Sequence, residues 1–404
     1  MDKKKFVQSL SNVKLVIGNG YDLYCGLKSK YSDYFSRYVD KNDTFIKWIN
    51  SFKMKAKEYL NFYLEKGIEL INNWVEFEHF SRTNIWDFFF YLVSIVNADK
   101  EKSIWLWCDI EDVMYNSLFE TKKKCMINIG IEWQSIYDMI TKAKGIDKCN
   151  IEECILASVI LKRKGFKDFD SKEDYYCYLL DELKCFEKEF GGFIMEQHEI
   201  HYGLPNLSEI KFRSNSKLLV NELCNYDNIV SVDSFNFDDL GIDSYNKPFH
   251  NINGDVNSPI FGVDSNCVNA EDIRFIFTKT NRRMELDMER VEKTNFTDFK
   301  NVVVFGHSLS QNDYNYFFPL LDKLEISDFL SNKKIVFAFS IYDLDKEIEI
   351  KRNIRYAIQK LFESYAIYKD INEPNRLLDS LTTQGRVIMY EIPQAKFLET
   401  NYFL

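Results

Sequence analysis

Short apolar runs, separated by long stretches with helical periodicity, form the main pattern of this chain. The first run ends at Ile17 and breaks into Gly18 and Gly20. A β-branched run that ends in glycines is typical of a strand entering a tight turn. Similar runs predict further strands at 228–233, 249–254, 259–263, 301–305, 334–339 and 386–390.

The segment 31–225 has a different pattern, which predicts helices. Aromatic and aliphatic residues recur at helical spacing within 31–38, 59–71 and 175–186. Asp109, just before an apolar residue and an acid, predicts a helix N-cap. The chain is therefore predicted to be an α/β protein with a Rossmann-like, mostly parallel sheet and a large helical insertion after the first strand.

This pattern predicts two domains. Residues 1–30 and 226–404 would form the nucleotide-binding core, and residues 31–225 the helical insertion. The length of 404 residues and an apolar content of 46% are sufficient for both.

Composition narrows the classes of function. A net charge of −10 and a pI near 5.3 disfavour broad nucleic-acid binding. Nine scattered cysteines without a CxxC motif indicate reduced thiols, and no metal site is expected. The start lacks a signal-peptide pattern, and the most apolar window, 88–96, is too short to span a bilayer. We expect a cytoplasmic protein without membrane contact.

Three strand ends carry polar residues directly after an apolar run. They are the segments 18–22, 235–238 and 306–309, the last followed by Asp313. In a parallel sheet the carboxyl ends of the strands share one edge, where open α/β folds bind their ligands. The three segments are therefore predicted to line one crevice.

Each strand end also has a simpler interpretation. The first glycine turn lacks a full dinucleotide fingerprint, because Leu23 stands where the third glycine should be, and Asp22 would serve as an N-cap. Asn236 would form an Asx turn. The third segment invites comparison with the nucleophile elbow of α/β-hydrolases, but no histidine follows Ser308 in the chain. The hydrolase interpretation is therefore excluded.

Taken together, these segments resemble the AbiH family of bacterial abortive-infection proteins, which act in phage defence. The resemblance extends over about three-quarters of the chain. The matching segments, in family order, are 17–23, 107–111, 234–238, 252–254, 260–264 and 305–309 with Asp313.

A more remote similarity to sirtuin-like defence domains implies NAD as the ligand and cleavage of its nicotinamide–ribose bond as the reaction. The resemblance implies catalytic roles for Asn236, His307 and Asp313. It also implies that the two glycine turns and the turn at the end of the third predicted strand bind the cofactor. Those residues are Gly18, Asn19, Gly20, Asp22, Asn253, Gly254, Gly306 and Ser308.

The chain departs from both families at Asn253, where a histidine is usual. Asparagine cannot accept a proton, whereas histidine is the usual general base near neutral pH. His250 lies three residues earlier, an odd offset that predicts the opposite face of a strand. His307 is then the histidine left for this role.

The leading interpretation is a phage-defence effector that binds NAD or a related nucleotide and hydrolyses it in the manner of an NAD glycohydrolase. Its expected partners are the nucleotide and a phage-encoded trigger protein, with oligomer formation left open. One alternative is a non-catalytic sensor of a nucleotide or a phage protein. Another is a metal-dependent nuclease that would use Asp22, Asp238 and Asp313.

Overall fold

A computed structural model gives the architecture of the chain. The residues that it describes are 3–31, 33–35, 84–87, 89–90, 93, 107–119, 156, 160, 169–202, 208–238, 247–269, 271–285, 298–371 and 373–393. The segment 59–71, for which helical structure is predicted, lies outside them.

Helices account for most of the regular structure in these residues. The strands are β1 (Val13–Ile17), β2 (Ile229–Ser234), β3 (Phe249–Asn251), β4 (Asn301–Phe305), β5 (Lys334–Ser340) and β6 (Val387–Ile392). The α-helices are α1 (Lys3–Gln8), α2 (Asn19–Cys25), α3 (Trp107–Leu118), α4 (Lys172–Tyr202), α5 (Ser208–Leu223), α6 (Lys279–Met284), α7 (Tyr314–Lys323), α8 (Glu347–Tyr368) and α9 (Pro374–Thr383). Short 3₁₀ helices span Tyr226–Asn228, Ser265–Cys267, Ile273–Phe277, Gln311–Asp313 and Leu344–Lys346.

The six strands form one sheet in the order β3-β2-β1-β4-β5-β6, and every pair of neighbours is parallel. This is the Rossmann strand order. At the centre, Val16 of β1 lies opposite Asp233 of β2 and Val304 of β4. The predicted α/β, Rossmann-like sheet is therefore confirmed, and so is the helical insertion after its first strand.

Both faces of the central strands β1 and β4 are buried, which explains why these strands read as apolar runs. Side chains alternate along each strand. Val16 and Val304 face the core formed with α7, α8 and α9. Leu15 and Val303 face the core formed with α1, α2 and α5.

Two local predictions are wrong. The segment 259–263 does not join the sheet, and Val263 forms only an isolated bridge with Thr278. Pro259 has no N–H to donate, and the N–H of Phe261 donates to the Glu187 carboxylate at 2.9 Å. Asp109 is not an N-cap, because α3 already begins two residues earlier.

The chain forms two compact units. The sheet unit comprises Met1–Ser29, Gly191–Pro259 and Arg283–Leu404, and the helical unit comprises Lys30–Phe190 and Ile260–Arg282. The predicted boundary at 225/226 places α5 with the insertion. In the structure, however, Leu219 and Leu223 of this helix pack in the core beneath the sheet.

The described part of the helical unit contains an aromatic cluster. Tyr31 and Phe261 both pack against Phe190, with ring centroids 5.2 and 5.6 Å away. Trp86 packs against Phe90 and donates its indole N–H to the carbonyl of Leu179 at 2.8 Å. Among the described residues, this cluster accounts for the aromatic periodicity that begins at Tyr31.

Buried ion pairs also stabilise the helical unit. Both terminal nitrogens of Arg282 donate to Glu187, at 2.9 and 2.7 Å. Lys279 pairs with Glu111 at 2.8 Å, and both side chains are almost fully buried. Glu111 lies in one of the family-like segments, so in this structure that segment contributes a structural ion pair.

Candidate functional site

The carboxyl ends of β1, β2 and β4 meet at one edge of the sheet. The N–H of Phe235 donates to the carbonyl of Ile17 at 2.9 Å, and the N–H of Gly18 donates to that of Phe305 at 3.0 Å. The three polar strand ends identified in the sequence are thus brought together. We call this edge the strand-end site.

The site lies where the strand order reverses. After β1 the chain continues into α2, whose Tyr21 packs in the core on one face of the sheet. After β4 it continues into α7, whose Phe317 packs in the core on the other face. Because the two connections diverge, the carboxyl ends of β1 and β4 form a topological switch point, the usual ligand position in open α/β sheets.

The glycines of the two turns pack directly against each other. A Cβ atom on Gly18 would lie 2.8 Å from the carbonyl oxygen of Gly306, and one on Gly20 would lie 2.6 Å from its Cα. Gly306 itself has a φ of +72°. The N–H of Gly20 also donates to the Gly306 carbonyl at 2.9 Å. Contact between the turns thus accounts for these glycines.

Asn236 links two strand ends. Its side-chain Nδ2 donates to the carbonyl of Gly18 at 3.2 Å and to Oδ1 of Asp22 at 2.8 Å. The Nδ2 atom of Asn236 therefore contacts the end of β1. Asp22 is not an N-cap, because Gly18 holds that position in α2. Asn251 completes the arrangement by donating to the backbone carbonyls of Asn236 and Asp238, at 2.9 and 3.1 Å.

Asp22 is a buried acid beside a second acid. Burial raises its pKa well above the usual value, the negative charge of Asp238 raises it further, and the hydrogen bond from Asn236 opposes the shift. The same surroundings raise the pKa of the buried Cys25 thiol. The strand-end site therefore favours the protonated form of Asp22.

This shift predicts a pH effect on stability. The pKa of Asp22 is higher in the folded than in the unfolded protein, so the folded state binds more protons between those two values. Stability then falls as pH rises from the ordinary value of 3.8 through the folded value. Asp22→Asn needs no proton and keeps an oxygen for Asn236, so we expect it to remove this slope and to raise Tm at neutral pH by about 2 °C or more.

Thermal unfolding of wild type and Asp22→Asn across this pH range would test the expectation. Asp379→Asn, a substitution of an exposed acid on α9, is the matched control and should keep the wild-type slope. An unchanged slope in Asp22→Asn would contradict it.

His307 and Asp313 lie within ion-pair distance of each other. Nε2 of His307 lies 3.3 Å from Oδ2 of Asp313, and Nδ1 accepts the N–H of Leu309 at 2.9 Å. Because Nδ1 is an acceptor, the proton of the neutral ring lies on Nε2, the nitrogen nearer to Asp313. The ring packs edge-on against Phe235, with centroids 4.2 Å apart.

The remaining predicted site residues have separate surroundings. Asn19 accepts a hydrogen bond from the Ser29 hydroxyl, and Ser308 is exposed. Asn253 is buried, and its side-chain oxygen accepts from Arg283 at 3.0 Å. Gly254 has a φ of +81°, and a Cβ there would lie 2.1 Å from the carbonyl oxygen of Ser258. None of the hydrogen bonds described here joins Asn253 to Asn236 or Asp22.

Sequence reasoning missed a buried polar network under β1 and β2. Asp233 accepts from Lys14 at 2.7 Å and from the Tyr316 hydroxyl at 2.6 Å, and its Oδ1 lies 3.1 Å from Nδ1 of His250. Burial alone would raise the pKa of Asp233, but the bonds from His250 and Lys14 outweigh it and leave the pKa lowered. The sequence contains a signal for this network, because the apolar runs of β1 and β2 each contain one charged residue, Lys14 and Asp233.

The nuclease alternative receives no support. Across the described residues, no three His, Cys, Asp or Glu side chains come together in a way that would hold a metal ion. Asp313 is engaged with His307, whereas Asp22 lies beside Asp238. Within the same residues, no helix combines the length and the apolar character needed to cross a membrane.

The protein is an α/β protein of the Rossmann type. Its strand order, its topological switch point and the contact between its two glycine turns define this class. The chain belongs to the bacteriophage abortive infection AbiH family, whose family model matches residues 15–339. The resemblance predicted from the ordered segments is thereby confirmed, and the membership supports a role in phage abortive infection. Comparison with curated proteins and with solved structures gave no significant match.

Proposed function

We propose that this protein binds NAD or a related nucleotide at the strand-end site and hydrolyses it during abortive infection in the cytoplasm. The observation that carries the proposal is the Asn236 side chain, which bridges the ends of β1 and β2 beside the switch point. Ribose hydroxyls pair readily with amide and carboxyl groups. The family membership and the resemblance to sirtuin-like domains support the same ligand class.

The raised pKa of Asp22 is consistent with a nucleotide ligand. Two ionised carboxylates side by side would repel a phosphate, whereas a neutral Asp22 removes one negative charge and can donate a hydrogen bond. Asp238 would supply the remaining charge, which suits a ribose hydroxyl better than a phosphate.

Nicotinamide release from NAD by the purified protein, alone and with phage-infected lysate, tests the proposal. We expect Asn236→Ala to reduce release at least about a hundredfold, because a positioning contact is lost at the reacting sugar. Asn353→Ala, the same change at an exposed position on α8, is the matched control and should behave as wild type. Wild-type protein that releases no nicotinamide in either condition would exclude hydrolysis.

A second function is favoured by one observation. Neither ring nitrogen of His307 is free, and Asn253 replaces the histidine of the family pattern. A site without a general base would bind the nucleotide as a signal and leave it intact. Raised thermal stability with NAD but no turnover would identify such a sensor. For both functions, we expect cells that express the protein to restrict phage growth.

A further inference from the structure

The turn after β4 has an unusual backbone. Gly306 has a φ of +72°, and Leu309, a branched residue, has a φ of +57°. The left-handed region is unfavourable for leucine, so its surroundings must hold it there. The Leu309 side chain is buried in the core formed with α7, α8 and α9, which supplies part of that restraint.

His307 supplies the other part. Its Nδ1 accepts the N–H of Leu309, two residues further along the chain. The Asp313 carboxylate lies 3.3 Å from the opposite nitrogen, and Phe235 and Phe317 pack against the ring with centroids 4.2 and 5.1 Å away. The ring is therefore restrained by the hydrogen bond at Nδ1, by the nearby Asp313 carboxylate and by two aromatic neighbours.

This geometry determines what the side chain can do. A general base needs a lone pair directed at the substrate, and the basic nitrogen of His307 instead faces the backbone of its own turn. In the turn that His307 stabilises, Gly306 packs against Gly20. The next residue after His307 in this turn, Ser308, is exposed.

We propose that His307 is a positioning residue for the nucleotide site and not its general base. Through Leu309 it sets the conformation of residues 306–309, and so the place of the Ser308 hydroxyl, which contacts an oxygen of the ligand. Asp313 acts on the same turn by orienting the ring. The inference rests on the proposed function, since it assigns roles within that site.

Asparagine offers a discriminating substitution. The bond from a side chain at position i to the N–H of i+2 is the bond of an Asx turn, which asparagine forms readily. His307→Asn therefore keeps the acceptor for Leu309 and removes the titrating ring. His307→Ala removes both, and Asp313→Asn keeps an acceptor for Nε2.

NAD binding by calorimetry and nicotinamide release between pH 5.5 and 9 are the functional measurements. We expect His307→Asn and Asp313→Asn to stay within about threefold of wild type with an unchanged pH profile, and His307→Ala to bind at least about tenfold more weakly. Turnover abolished in His307→Asn with NAD binding retained would overturn the proposal, because that is the result for a general base.

Hydrogen exchange over a peptide covering 306–313 separates this inference from the proposed function, because it needs no ligand. Exchange should be at least about tenfold faster in His307→Ala, whereas wild type and His307→Asn should be alike. Unchanged exchange in His307→Ala would overturn the positioning role even if NAD binds. Failure of wild type to bind NAD, together with the expected exchange pattern, would reject only the nucleotide.

Discussion

Gly20→Ala is expected to lower the free energy of unfolding by at least about 3 kcal/mol or to prevent folding. The added Cβ would lie 2.6 Å from the Cα of Gly306 and 3.1 Å from its carbonyl oxygen. Both are backbone atoms of a turn that is itself fixed by β4, so neither can move aside easily. Helix propensity acts in the opposite direction, because alanine is favoured over glycine by about 1 kcal/mol. A lower free energy of unfolding in Gly20→Ala would therefore show that contact between the two turns dominates. A higher one would show that the helix propensity of alanine dominates.

Denaturant unfolding of Gly20→Ala and Gly26→Ala would make this measurement. Gly26 ends the same helix with a φ of +100°, and a Cβ there would meet no heavy atom within 4 Å. Its substitution should therefore cost only the backbone strain, about 1–2 kcal/mol. Equal losses in the two variants would show that the contact with Gly306 is not limiting.

Asp233→Ala should destabilise the protein by about 3–5 kcal/mol, the usual effect of removing one member of a buried ion pair. Lys14, which is 2% exposed, would keep a positive charge within the sheet, and the Tyr316 hydroxyl would lose its acceptor. Lys14→Met in the same chain should recover part of the loss, because the uncompensated charge is then gone.

Chemical denaturation of the single and double variants measures these terms, with Asp379→Ala on the surface as the matched control within about 0.5 kcal/mol of wild type. Additive losses from Lys14→Met and Asp233→Ala would mean that the two side chains are not coupled.

The pH dependence of this network has the opposite sign to that of Asp22. The pKa of Asp233 is lowered in the folded protein, so its contribution is present above the ordinary value of 3.8 and is lost as pH falls through the folded value. Acid unfolding of wild type should include this loss. Asp233→Ala should lack it and show a shallower dependence below pH 4.

The sheet could be predicted well because its signals are local. Apolar runs such as 301–305 are buried on both faces, so the pattern and the structure coincide. The segment 259–263 has the same apolar character. It does not join the sheet, and the N–H of Phe261 instead donates to the carboxylate of Glu187. No local pattern reports a partner 74 residues away.

For the strand-end site, the location could be predicted from the sequence, but the side-chain contacts could not. The strand ends that carry Gly18, Asn236 and Gly306 could be brought together in advance, because parallel strands share an edge. The contacts that each side chain makes at this edge could not be predicted. Both the contact of Gly20 with Gly306 and the partners of His307 depend on how two turns meet, and Arg283 reaches Asn253 from a distant helix.

The position of β1 has a consequence for how the molecule assembles. This strand occupies the middle of the sheet, yet Lys14 and its partner Asp233 are separated by 219 residues, and the neighbour on the other side, β4, follows later still. During synthesis β1 therefore cannot pair with β2 or β4 until the chain up to those strands has left the ribosome. Closing so long a loop is slow. Completion of the sheet thus becomes a late event, and truncated chains ending before β4 cannot form the strand-end site.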